Sequence, residues 1–366
     1  MNLAQNMAIG LILLSCILVS VIETTRAAHP RHLAVRPTTD DILTTTDAKW
    51  HNVQNDKEDQ AVHVLLKPLE SDHWMNDAIG VRATYFGWDG DGTLWLDASN
   101  KSKKTSQQKN FKDDPWSQGY KKILQQMANM PPRTGGRIIH DDVVLEFWRR
   151  TEHTEVTHPT FVIQMPSNRK EDRCVRLVPN PYEVKNGAYF FARQELETLA
   201  PPFHERIPQL FFRAHLHNVH REEQRARAFD MGADPSNHHW LNATLDDQGP
   251  STAVRYRYLL EIGGVDGTTW GALLWKMASG SLVFKVDSPR NLWFERVQQL
   301  RANVHYLPIK SDLSNLHTQW AWANDNPTAA QTIAEAGQRA ASASNIEMAS
   351  FAFQHIVSET IHDCGP

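Results

Sequence analysis

From residue 205 onward, short apolar runs alternate with longer amphipathic ones, and this constrains the fold more than any other feature of the chain. Residues 209–213 (QLFFR), 256–262 (YRYLLEI), 281–286 (SLVFKV) and 305–309 (HYLPI) each have the length and apolar content of a strand. Residues 220–229, a segment carrying Trp270, Leu273, Leu274 and Met277, and residues 292–302 and 312–323 read as helices. Strands separated by helices assemble into a parallel sheet with helices on both faces. Ligands of such sheets bind beyond the carboxyl ends of the strands. The positions just after Phe212, Ile262 and Val286 are therefore the candidates for chemistry.

Two more helices are expected at 328–341 and 345–361, where the chain is rich in Ala and Glu with few breakers. Upstream of 205 the same α/β class is expected, with strands near 80–86, 161–165 and 176–179 and a helix near 121–130. Residues 29–60 form a polar leader, and 99–114 a charged surface loop. With 366 residues the chain has room for two packed domains. Its net charge of -4 supplies no broad basic field, which excludes nucleic acid as a partner.

Residues 7–22 are an unbroken apolar run, shorter than the ~20 residues of a bilayer span. Ala27 and Ala28 suit a cleavage site, so residues 1–28 read as a secretory signal peptide. The expected location is the lumen of the endoplasmic reticulum or Golgi, or outside the cell, with no stable membrane span after cleavage. Cys16 leaves with the signal; Cys174 and Cys364 either pair or are unrelated thiols. Asn100-Lys-Ser and Asn242-Ala-Thr are glycosylation sequons, which suggests a glycoprotein.

The strand at 256–262 runs into Gly263, Gly264 and Gly267 and then into a helix. Free backbone N–H groups at such a turn, with the positive end of a helix dipole, suit a diphosphate. A plain strand-to-helix turn has the same letters. Arg213 and Arg221 strengthen the anion-binding reading, because guanidinium groups grip phosphate oxygens in pairs. Arg221 stands among Glu222, Glu223, Arg225 and Arg227 and also reads as a solvated helix charge. Arg213 ends an apolar strand, where a solvated charge is harder to place.

Several ordered segments between 209 and 338 resemble the CAP10 or protein O-glucosyltransferase family (glycosyltransferase family 90). They are Phe212-Arg-Ala-His215 with Arg221; Arg255-Tyr-Arg-Tyr-Leu-Leu260; GSLVFKVDS at 280–288; HYLPIKSDLSN at 305–315; and Ile333-Ala-Glu-Ala-Gly-Gln338. The resemblance implies a GT-B-like α/β fold, two Rossmann-like domains with parallel sheets and C-terminal helices. The first, at 61–204, would face the acceptor; the second, at 205–344, would hold the nucleotide sugar; 345–366 would be a C-terminal helix. It implies inverting, metal-independent transfer of glucose or xylose from UDP-glucose or UDP-xylose to a hydroxyl of a protein or glycan, with no cofactor beyond the donor. Carried over by position, Arg213, His215 and Arg221 would contact the diphosphate. Gly264, Val265, Asp266, Gly267, Thr268 and Thr269 would form the donor loop. Ala214-His215 stands where relatives have Gly-Ser, and Trp270, Gly271 and Ala272 occupy the positions where many carry an Arg.

Inversion needs a carboxylate to take the proton of the attacking hydroxyl. The family places an Asp after a short apolar strand and before a Pro-x-Phe strand. Pro159-Thr-Phe161 marks the second landmark. Taking 143–148 as the first makes Glu152 the expected base, with Asp142 and Glu155 as rivals. Three other readings compete. Asp89-Gly-Asp-Gly-Thr93 resembles the DxDGT nucleophile motif of magnesium-dependent phosphatases, or a polar turn. His215, His217 and His220, with His238 and His239, offer imidazoles to a metal, although a donor-facing His215 with solvated neighbours needs fewer coincidences. A catalytically inactive secreted relative would keep the fold and bind sugar nucleotide or glycan without turnover.

Overall fold

The structure is a computed structural model. It describes residues 83–88, 94–97, 115–127, 130, 134–139, 144–181, 196, 198–214, 223–244, 250–263 and 272–364. The first half contains β1 (Ala83–Trp88), β2 (Leu94–Asp97), α1 (Pro115–Gln126), β3 (Gly135–Ile139), α2 (Val144–Arg150), β4 (Thr160–Val162), β5 (Gln164–Pro166) and β6 (Val175–Leu177). The second half begins with β7 (Ile207–Arg213), α3 (Glu223–Ala233), β8 (Leu241–Thr244), α4 (Pro250–Ala253), β9 (Tyr256–Glu261), α5 (Ala272–Ala278) and β10 (Leu282–Val286). It continues with β11 (Arg290–Leu292), α6 (Trp293–Val297), β12 (Leu307–Ile309), α7 (Leu316–Asp325), α8 (Pro327–Ala343) and α9 (Ile346–Cys364).

The second sheet has the order β12-β10-β9-β7-β8, and each neighbouring pair is parallel. Numbered along the chain within that sheet, the strands read 2-1-3-4-5 from β8 to β12. The order reverses between β7 and β9, which is the switch point where doubly wound sheets bind ligands. The strands are continuous apolar runs because both faces are covered. Leu210, Phe212, Tyr258, Leu260, Phe284 and Leu307 pack into one core. Phe211, Leu259 and Val283 face the other way.

The first sheet is mixed, in the order β2-β1-β3-β4-β6. β1 is antiparallel to β2 and β3, and only β3, β4 and β6 run parallel, which amends the all-parallel expectation for this half. Gly135 and Gly136 open β3 because nothing larger fits. An added Cβ would lie 2.3 Å from the Phe86 carbonyl oxygen at Gly135 and 2.8 Å from the Phe161 ring at Gly136.

Two devices join the halves. β5 and β11 form an antiparallel ribbon, extended by Ser167 N–H donating to the Pro289 carbonyl at 2.8 Å. Arg296 Nη2 then donates to the carbonyls of Pro166 and Arg169 at 3.2 and 3.0 Å. In addition, α9 returns to the first half, where Phe353 stacks on Tyr120 at 4.6 Å. Cys364 closes a disulfide with Cys174, immediately before β6, across a sequence separation of 190. The final helix thus shares the core of the first sheet. No helix among the described residues is long and apolar enough to cross a membrane.

The Asn242 sequon lies within β8, and Asn242 Nδ2 donates to the Tyr256 hydroxyl at 2.7 Å. A side-chain amide held in a strand in this way is a poor glycosylation acceptor. The first sequon, Asn100, lies outside the described residues, as do the signal, the leader, the 99–114 segment and the Asp89–Thr93 motif.

Candidate active site

The carboxyl edge of the second sheet concentrates buried charge. Arg213 is the last residue of β7 and Glu261 the last of β9. They stand two positions beyond the paired Phe211 and Leu259, and Glu261 in turn pairs with Lys285 of β10. Cation, carboxylate and cation therefore alternate across three adjacent strands on one face. α5 adds Lys276, whose Nζ donates to Glu261 Oε2 and to the Leu260 carbonyl, both at 2.7 Å. α3 adds Arg225, whose Nη2 donates to the Ile262 carbonyl at 3.2 Å.

The charged groups at this edge perturb one another. Burial pushes the Lys276 ammonium below its ordinary pKa; Glu261 opposes that shift, and the nearby Arg225 and Arg213 add to it. Burial would also lower Lys285, but Glu295, in contact at 2.9 Å, together with Tyr306 and Glu261 holds the pKa above its ordinary value. Around the end of β9 the described residues thus bring together Arg213, Arg225, Lys276 and Glu261, of which Lys276 and Glu261 form an ion pair. The switch point of a parallel sheet is where ligands of such folds bind, and these charged side chains stand beside it.

Of the donor-site residues expected from the sequence, Arg213 is found here and Gly263 follows β9. His215, Arg221, Gly264, Val265, Asp266, Gly267, Thr268 and Thr269 lie outside the described residues, as do His217 and His220. Glu261, Lys276 and Arg225 were missed. Lys276 had a readable signal, since it shares a helix turn with the buried Leu273 and Met277. His239, one of the proposed metal ligands, meets Trp320 edge-on at 5.9 Å.

The strand landmark used to place the base changes. Residues 143–148 are not a strand: α2 runs from Val144 to Arg150 and buries Val144, Phe147 and Trp148, a spacing of three and four that is helical. The apolar strand before Phe161 is β3, ending at Ile139. β3 and β4 are parallel, so the helix carries the chain back to the amino edge. Glu152 and Glu155 are exposed residues of the loop entering β4, on the opposite edge from the end of β3. Asp142, three positions after Ile139, lies outside the described residues.

The segments that carry the family resemblance also meet in space. Gly280 has φ of 73°, in the left-handed region, and its side faces Gln338, whose Nε2 donates to the Ala278 carbonyl at 3.1 Å. Gly337 lets α8 approach the chain before β12: an added Cβ would lie 2.5 Å from the His305 carbonyl oxygen. In the turn after β12, Asn315 Oδ1 accepts from Lys310 N–H at 2.9 Å, and Asn315 Nδ2 donates to the Pro308 carbonyl at 3.2 Å. These residues brace the sheet rather than reach its carboxyl edge at β7 and β9.

A doubly wound parallel sheet with charged side chains at its switch point defines an α/β protein of the class that binds ligands at the carboxyl edge. Comparison with known proteins narrows that class: residues 185–352 match the model of Glycosyl transferase family 90. That CAP10-like match covers a little under half of the chain. The chain is 39% identical over 87 residues to Protein O-glucosyltransferase 2 of Danio rerio, covering 23% of this chain and 16% of that one. It is 34% identical over 86 residues to O-glucosyltransferase LpsA of Dichelobacter nodosus, covering 24% and 26%. Against Protein O-glucosyltransferase 1 of Homo sapiens it is 37% identical over 86 residues, covering 23% and 21%. The matched stretches thus span about a quarter or less of these relatives' length.

Proposed function

We propose that the protein is an inverting, metal-independent glycosyltransferase of the GT-B arrangement, moving glucose or xylose from a UDP-sugar to a hydroxyl of a protein or glycan. The observation that carries this reading is the gathering of Arg213, Arg225 and Lys276 at the switch point of the second sheet, where ligands of parallel sheets bind. The similarity to O-glucosyltransferases supports it. The Cys174–Cys364 disulfide supports residence in an oxidising compartment of the secretory pathway.

In this reading Arg213 and the amides of the turn after β9 bind the diphosphate. The acceptor oxygen forms a bond to the anomeric carbon as the bond from that carbon to UDP breaks. The electron pair leaves with the diphosphate, whose charge the guanidinium groups stabilise. A carboxylate takes the hydroxyl proton. We assign that role to Asp142, the carboxylate that follows β3, rather than to Glu152 or Glu155.

The test is UDP release from UDP-glucose and UDP-xylose with a Ser- or Thr-bearing acceptor domain, with and without EDTA. The expected result is acceptor-dependent release that EDTA does not alter and that Arg213→Ala and Asp142→Asn abolish. Donor binding without release would point to an inactive relative, and loss of release with EDTA would end the metal-independent reading.

A further inference from the structure

An open cleft of about 660 Å³ lies between α7 and α8 over the start of β12. It is remote from the Arg213 cluster. β12 is an edge strand, with β10 and β9 between it and β7. The cleft sits by Leu307, which opens β12, whereas Arg213 closes β7, and the strands run parallel.

Its wall is chemically consistent. Thr318, Gln319 and Trp322 come from one face of α7, Thr332 from α8, and Asn303 from the turn before β12, over a floor that includes Ile333. None of these side chains is charged. Trp322 is 39% exposed, unlike Trp240 at 1% and Trp293 at 5%, which are core residues. Thr332 donates its hydroxyl proton to the Thr328 carbonyl at 3.0 Å and keeps lone pairs for a ligand.

The lining selects its ligand by exclusion. An anion would find no cation here, and a cation no carboxylate. A wholly apolar ligand would cover amides and hydroxyls without bonding them, at a cost in desolvation. A pyranose ring satisfies both kinds of surface, with apolar C–H faces for an aromatic ring and a rim of hydroxyls for amide and hydroxyl partners. The volume lies within the range of small-ligand sites, roughly 300–1,000 Å³.

We propose that this cleft is a binding site for neutral carbohydrate, with one sugar ring stacked on Trp322 and its hydroxyls bonded by Gln319, Asn303 and Thr332. The site is independent of the donor-binding reading. It would hold a glycan at the amino edge of the second sheet, apart from any chemistry at the carboxyl edge.

The test is saturation-transfer NMR and calorimetry on the whole protein with maltotetraose, cellotetraose and xylotetraose, and a heparin tetrasaccharide as anionic control. At least one neutral oligosaccharide should bind, the heparin fragment should not, and added UDP should not displace the neutral ligand. Trp322→Ala should weaken binding by about tenfold, the scale of one aromatic contact with its buried area. Gln319→Ala should also weaken it, and that variant decides the matter if circular dichroism shows Trp322→Ala to be misfolded. Binding of none of the three oligosaccharides, binding unaffected by either substitution, or displacement by UDP would each overturn the proposal.

Discussion

Removing the charge from Glu261 should destabilise the protein sharply, although the side chain changes by a single atom. Lys276 Nζ and Glu261 Oε2 are 2.7 Å apart, and the two side chains are 12% and 4% exposed. At an effective dielectric constant of about 20 their attraction is roughly 6 kcal/mol, most of which offsets the cost of taking both charges out of water. In Glu261→Gln that compensation is lost while the ammonium stays buried beside Arg213 and Arg225. Orphaning one member of a buried pair costs about 3–5 kcal/mol. The Leu260 carbonyl still accepts from Nζ, which places the expected loss near the lower end, about 3 kcal/mol. Guanidinium unfolding followed by tryptophan fluorescence measures it, and Glu261→Gln/Lys276→Met should recover most of the loss. A single variant within about 0.5 kcal/mol of the parent, or a double variant no better than the single, would refute the reasoning.

Three further perturbations have defined outcomes. Gly337→Ala gains up to about 1 kcal/mol of helix propensity but drives a methyl group against the His305 carbonyl, so a net loss of about 1–2 kcal/mol is expected in the same unfolding assay. Reducing Cys174–Cys364 reopens a loop with a sequence separation of 190. The chain-entropy relation gives roughly 5 kcal/mol for such a loop, and the observed range for disulfides makes a loss of about 2–4 kcal/mol the expectation, read as a fall in Tm on adding reductant. His305 is pushed below its ordinary pKa of 6.5 by burial and then by Arg301 and Arg339, and its Nδ1 accepts the Arg301 N–H at 2.9 Å. A depressed histidine pKa means that the unfolded chain takes up the proton first, so its contribution to stability is present above pH 6.5 and lost as the pH falls from there through the lower pKa of the folded state. His305→Asn should flatten the acid limb of a stability–pH profile; an unchanged limb would contradict the assignment.

Much of the second half was legible because its strands are buried on both faces. YRYLLEI and SLVFKV are nearly continuous apolar runs, and they match β9 and β10 to within a residue or so. Strand β8 was not legible. Its four residues, LNAT, are short and half polar, and it exists by pairing with β7 at one edge. The helix expected at 292–302 stops at Val297, and positive φ at Gln299 and Asn303 turns the chain where periodicity alone continued.

In the first half the error had consequences for the site. GGRII opens with two glycines because β3 needs them against Phe86 and Phe161, so the more apolar VLEFW beside it attracted the strand assignment. The expected base, Glu152, was placed by counting from that assumed strand. Arg213 was readable as a charge ending an apolar strand. Glu261 and Arg225 depend on which strands become neighbours, and a single sequence does not state that order.

The most direct measurement is calorimetric titration of UDP into the protein and into Arg213→Ala. Loss of a charge-assisted contact to the diphosphate, worth about 1.5–3 kcal/mol, should weaken binding by roughly tenfold to more than a hundredfold with the fold intact. Equal affinity in both proteins would contradict a diphosphate site at the junction of β7 and β9.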